Sequence, residues 1–345
     1  MSPLRIEPLA TTGIGSLPHT QMELAIQQAF SLDIPYLPQL PRRDPAEFMI
    51  PQALDGLPGL RWDAEGTPTV QHKEWQREAA AFDRRLARAL EKGDLGPFEP
   101  QPASTRAWKP FLWEIGERDV KLAKAQLCGP VTCAWTVRLD DGRPVFADPD
   151  LLGQIFRLVM ARTLAMARAM SQAGAAPIVF LDEPGLCWLE PRNPQHLLRL
   201  AELKLTVLAL TKAGARPGVH CCGNTKWGAL LGLGLSYLSL DAHLSLELVL
   251  EDRAAFDRFL AEGGRLALGI VPTDLDSKPG AAEAVALEVL ATLERLSPAE
   301  KVLGQCLVTP ACGLALRSVA DCEAAFAALE RGRALLRERF SPRAA

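Results

Sequence analysis

The chain has 345 residues, enough for one large domain or two ordinary ones, and its 48% hydrophobic and 23% charged composition is that of a globular protein with a core of its own. With 38 basic against 41 acidic side chains the net charge is −3, which argues against a broad nucleic-acid surface, and the apolar content argues against disorder. No run of 18 apolar residues is present to span a membrane, and Met1–Glu7 lacks the apolar stretch of a signal peptide, so the cytoplasm is the expected compartment and the eight cysteines are expected as thiols or metal ligands, not as disulfides.

Short apolar runs alternate with longer helical patterns. The predicted strands, in chain order, are Leu9–Gly15, Ile34–Leu37, Ala125–Cys128, Pro177–Leu181, Pro217–Cys221, Tyr237–Leu240, Arg265–Val271 and Val302–Val308. Between them, Asp148-Pro149 and Asn193-Pro194 read as an N-cap followed by proline in the first turn, opening helices to about Gln172 and Ala213. Ser297 and Glu300 fit a capping box. Val319, Cys322, Phe326, Leu329 and Leu336 share one face of a last helix.

Eight strands with intervening helices predict an α/β protein, a single (β/α)8 TIM barrel covering residues 1–345. A Pro/Trp-rich insertion interrupts it after the second strand, at about residues 41–120. Seven prolines between 35 and 68 predict little regular structure there, apart from an amphipathic helix near Glu74–Leu90. The insertion reads either as a surface cover for barrel helices or as a lid or partner surface at the barrel mouth.

Residues that carry chemistry sit at the predicted strand ends, which a barrel gathers on one face. Ser16 follows the first strand, Asp182 and Glu183 the fourth, His220-Cys221-Cys222 the fifth, Asp241 and His243 the sixth, and Cys312 the eighth. In an extended segment His220 and Cys222 point to the same side. Imidazole nitrogen and thiolate sulfur suit Zn²⁺, with Cys312 as a third ligand and Asp241 as a weaker, displaceable fourth. Cys221 alternates away from that side. Cys128, Cys133, Cys187, Cys306 and Cys322 read as core thiols.

These motifs resemble the catalytic barrel of the cobalamin-independent methionine synthase family. The resembling pieces are Thr12-Gly13-Ile14-Gly15-Ser16-Leu17-Pro18-His19-Thr20, Gly129-Pro130-Val131-Thr132 with Trp135, Leu181-Asp182-Glu183-Pro184, His220-x-Cys222, and Pro310-Ala311-Cys312-Gly313-Leu314. The resemblance implies that Ser16 holds an amino-acid carboxylate, that Asp182, with Glu183 beside it, meets the amine, and that Trp135 lies near the methyl donor. It also implies that His220, Cys222 and Cys312 bind zinc. The chain departs from that family in four respects: it holds one barrel where the full-length enzymes have two, Asp241 stands where their ligand is Glu, Trp135 is offset by one position, and Tyr36-Leu37-Pro38-Gln39-Leu40-Pro41 stands where the family has a second acidic substrate contact after the second strand. His220-Cys221-Cys222-Gly223-Asn224 is also similar to the His-x-Cys-Gly-Asn motif of corrinoid-dependent thiol methyltransferases, within the related uroporphyrinogen decarboxylase-like family.

The implied activity is zinc-dependent transfer of a methyl group to a thiol, homocysteine first among candidates. A methyl-corrinoid protein or methyl-folate is the expected donor. Asp241 and His243 are the candidate catalytic side chains, with His243 or His19 as proton carrier. A uroporphyrinogen decarboxylase-like lyase and a non-catalytic zinc- or thiol-binding barrel are the alternatives.

Overall fold

The computed structural model describes residues 6–62, 67–274 and 278–340. Among these, the strands are β1 Ala10–Thr11, β2 Leu60–Trp62, β3 Pro68–Val70, β4 Leu122–Cys128, β5 Arg138–Leu139, β6 Ala176–Asp182, β7 Arg216–Cys221, β8 Tyr237–Asp241, β9 Arg265–Val271 and β10 Cys306–Pro310. The chain divides into two compact units, residues 1–42 with 218–345, and residues 43–217. No described helix is long and apolar enough to cross a membrane.

In the first unit β1, β10, β9, β8 and β7 lie side by side in that order, every pair parallel. Near-continuous burial along β8, β9 and β10 is what a parallel strand covered on both faces requires. Helices Ala242–Glu251, Ala281–Leu296 and Val319–Phe340 connect or flank these strands. On the last of them Cys322, Phe326, Leu329 and Leu336 are buried as their spacing predicts, whereas Val319 at its start is exposed.

In the second unit β4 and β6 pair in parallel from Leu122↔Ala176 to Cys128↔Asp182. The helix Pro149–Gln172 starts as predicted, with Asp148 accepting from the Leu151 N–H at 2.9 Å. Asn193 does the same for the helix Pro194–Lys212 through the Gln195 N–H at 2.9 Å.

Both units therefore carry the parallel strands of an α/β protein: five in the first, and in the second β4 with β6 and the short parallel pair β3–β5. The predicted second strand, Ile34–Leu37, forms no ladder. Its contacts are Ile34 N–H to Thr11 O at 3.0 Å and the isolated bridge Ser16↔Gln39. Pro35 and Pro38 supply no N–H donor, so a ladder has nothing to build on at those positions.

Three other expectations are corrected. The 41–120 stretch holds more regular structure than its prolines suggested: the 3₁₀ turn Pro45–Glu47, the helix Met49–Leu54 and the antiparallel pair β2–β3, besides the amphipathic helix, which runs His72–Lys92. Pro45 and Pro51 fall within the first turns of their helices, where a missing N–H costs nothing. Ser297 closes the helix Ala281–Leu296, and the short helix Ala299–Leu303 has no side-chain cap, so the capping box does not form. Cys187 is exposed, not a core thiol, because it sits in the surface turn Pro184–Trp188.

Candidate metal centre and adjoining cleft

β7 ends at Cys221, and strand alternation sends His220 and Cys222 to one side and Cys221 to the other. The Cys221 thiol is buried and donates to the Gly223 carbonyl at 3.3 Å. Cys312 enters from the end of β10. The ligand atoms of His220, Cys222 and Cys312 lie within 4.8 Å of one another. Gly313, next to Cys312, permits a close approach from the first-strand loop: a Cβ there would fall 2.1 Å from Ser16 Oγ. The Leu314 N–H donates to the Ser16 carbonyl at 2.8 Å, which ties Ser16 to this loop.

His220 is only 4% exposed. Its Nδ1 lies 2.9 Å from Ser239 Oγ, while Nε2 is buried with no hydrogen-bond partner. A buried ring nitrogen without a partner costs free energy unless something fills the position it faces. The Cys222 thiol is pushed up to about 12, mainly by its hydrogen bond with the Cys312 thiol, with His220 acting in the opposite sense. One imidazole and two thiols at this spacing form a donor set that fits Zn²⁺.

A cleft of about 870 Å³ adjoins this corner and is lined by Cys222, Cys312, Asp241, His243, Asp274 and Glu288 among others. Asp241, at the end of β8, lines this cleft with the two thiols but does not join the three ligand atoms that lie within 4.8 Å of one another. Its Oδ1 caps the helix Ala242–Glu251 by accepting from the Leu244 N–H at 3.1 Å. Burial raises its carboxyl above the usual range, against the backbone N–H groups it accepts. His243 is exposed, and Nδ1 meets Glu288 at 2.7 Å, which raises the imidazole above its ordinary value. His19 is buried, and burial lowers its imidazole.

The remaining predicted residues belong to the other unit. Asp182 ends β6 and is buried. Glu183 is fully buried and turned to the N-terminus of the helix Pro130–Thr136. Its Oε1 accepts from the Val131 N–H at 2.9 Å, and its Oε2 accepts from the Thr132 N–H and hydroxyl, each at 2.6 Å. Gly129 leaves room for this carboxylate, since a Cβ there would lie 2.2 Å from Glu183 Cδ. Burial pushes the carboxyl up to about 7 in spite of these donors. The Gly-Pro-Val-Thr and Asp-Glu-Pro motifs, separate in sequence, thus lock to each other. Trp135 packs its ring 5.0 Å from His196 and 6.4 Å from Trp188, which is 63% exposed.

Sequence reasoning missed several residues. Ser239 was legible in principle, because it lies directly opposite His220 in the β7–β8 register. Glu288 and Asp274 had no local signal. Lys124 was also missed: it is 2% exposed, its Nζ donates to Gln126 Oε1 at 3.0 Å, and it lies 5.0 Å from the Phe180 ring centre. Burial lowers its ammonium from 10.5 to about 8, opposed by Asp182.

No protein-family model matches the chain, and no curated protein matches it. Among solved structures it is similar to a methyltransferase from Methanosarcina mazei, with a TM-score of 0.56, 17% sequence identity and 95% of each chain covered. At that identity the likeness shows the fold.

Proposed function

We propose that this protein is a zinc-dependent thiol methyltransferase with homocysteine as acceptor. The observation that carries the reading is the convergence of His220, Cys222 and Cys312, whose ligand atoms lie within 4.8 Å of one another. The likeness to a methyltransferase over 95% of both chains supports methyl transfer as the reaction class. Homocysteine, and a methyl-corrinoid protein or methyl-folate as donor, come from the resemblance of the motifs. The eight-stranded barrel expected from the sequence is the scaffold this reading assumes.

His220, Cys222 and Cys312 would hold the ion, and Asp241 is the proposed displaceable fourth ligand. When bound, zinc lowers the pKa of an incoming thiol so that its nucleophilic thiolate form is present at neutral pH. Ser239 orients His220, and the adjoining cleft admits the substrate. Ser16, tied to the Cys312 loop, is proposed for the carboxylate end. His243, held by Glu288 at the cleft, is the proposed carrier of the thiol proton. Substrate contacts by Asp182 and Trp135 are proposed on the resemblance alone, whereas both oxygens of the buried Glu183 are taken by Val131 and Thr132. Orientation of two reactants in such a site lowers a barrier by roughly 7–11 kcal/mol in favourable cases.

Metal analysis tests the reading. One equivalent of zinc in the purified chain, lost in Cys222→Ser and in Cys312→Ser, is the expected result. A chain that takes up no zinc when zinc is supplied would overturn it. Methyl transfer to homocysteine from methylcobalamin, or from methyl-folate, then identifies the donor.

A further inference from the structure

We propose that a second cavity in the first unit, about 540 Å³ in volume, binds a phosphate monoester with a compact apolar body. The inference stands apart from the zinc and thiol reading. The cavity is framed by the segments that follow β9 and β10 and by the helices Ala281–Leu296 and Val319–Phe340. Its volume falls within the roughly 300–1,000 Å³ range of small-molecule sites. Its wall from Lys278 to Ala281 also lines the cleft beside Cys222 and Cys312, so the two sites adjoin.

Three cations, Lys278, Arg317 and Arg331, line this cavity against one carboxylate, Asp321. Asp321 is turned to the start of its own helix, where it accepts from the Ser318 N–H at 3.2 Å and from the Ser318 hydroxyl at 2.7 Å. Arg331 is engaged by Glu283. Among the described residues no carboxylate forms an ion pair with Lys278 or with the half-buried Arg317, which acts on Asp321 only as a nearby charge. The cavity therefore has two cations to spare, and these carry the inference. A guanidinium bonds a phosphate through two parallel N–H groups, and an ammonium adds a point charge. The first turn of the helix Ala281–Leu296 is a third part of the lining. Its N-cap is Gly280, which has no side chain to cap it, so the positive end of the helix adds to the same field. A phosphate monoester presents three terminal oxygens and close to two negative charges above its second pKa of about 6, which suits donors standing on separate elements. A carboxylate offers two oxygens and one charge. Val271, Leu314, Ala325 and Ala328 supply apolar lining, and the alanines leave open the volume that an ester body would fill.

The test is calorimetric titration of the full chain at neutral pH with phenyl phosphate, inorganic phosphate and benzoate. The same titrations are run on the double variant Lys278→Gln/Arg317→Gln and on the cavity-filling variant Ala328→Phe, with thermal unfolding to establish that each is folded. Phenyl phosphate should bind the wild-type chain at one site and more tightly than the other two probes. Each variant should weaken phenyl phosphate by at least about tenfold, the double variant by removing charge-assisted contacts and Ala328→Phe by occupying the space. Phenyl phosphate that fails to bind the wild-type chain, or that binds either folded variant with wild-type affinity, would overturn the inference. Benzoate bound as tightly as phenyl phosphate would overturn the assignment to a tetrahedral group, and inorganic phosphate bound as tightly would overturn the assignment to an ester.

Discussion

His220 Nδ1 sits 2.9 Å from Ser239 Oγ, across two parallel strands whose register places the two residues directly opposite each other. With the Nδ1 proton donated to Ser239, the lone pair belongs to Nε2, the ring nitrogen left to an ion. A hydrogen bond to the far nitrogen of a ligating histidine typically changes metal affinity by about 10–100-fold. Ser239→Ala should therefore weaken zinc binding by at least about tenfold in a chelator competition, with one equivalent still bound at excess zinc. An unchanged affinity would show that packing alone holds the ring.

Glu183, in the other unit, predicts a stability effect. Its two oxygens accept three hydrogen bonds from Val131 and Thr132 in a fully buried position. Glu183→Gln replaces one acceptor by a donor aimed at a donor, and should lower unfolding stability by about 2–4 kcal/mol in denaturant titrations. Gly129→Ala should act in the same direction, because its Cβ would fall on the Glu183 carboxyl group.

Lys124 predicts the opposite sign. A drop from 10.5 to about 8 corresponds to on the order of 3 kcal/mol of destabilisation when both folded and unfolded forms carry the proton. A group whose folded value is lowered contributes stability only as the pH rises, so the cost is full below about pH 8 and vanishes towards pH 10.5. Lys124→Met should thus stabilise the chain at pH 7 by on the order of 1–3 kcal/mol, less what Gln126 loses as an acceptor. That advantage should shrink between pH 8 and 10.5. A constant difference across this range would exclude titration of the ammonium as the cause.

Asp148 caps the longest described helix and also meets His72 Nε2 at 2.8 Å. Asp148→Ala should cost about 1–2 kcal/mol by thermal or denaturant unfolding. The effect should be distinct from zinc content, which it should leave unchanged.

These residues divide by how far their partners lie along the chain. Asp148 and Asn193 were legible because a cap acts on backbone two or three positions away. His220 and Cys222 were legible because strand alternation places residues two apart on one side. Cys187 was misread because apolar neighbours in sequence say nothing of which turn reaches the surface. The strand at Ile34–Leu37 was misread because apolar residues do not supply the N–H groups that Pro35 and Pro38 lack.

By itself, then, the sequence determined the parallel α/β character, the helix starts at Asp148 and Asn193 and the same-side pairing of His220 with Cys222, since each of the last two depends on backbone geometry within a few residues. Only the tertiary structure decided that Cys312 joins them, that Ser239 orients the imidazole, that Glu288 takes His243 and that Glu183 turns to a helix end. Those contacts join segments set beside one another by strand order and register, and the energy that selects them is the burial of whole elements, which no local pattern contains.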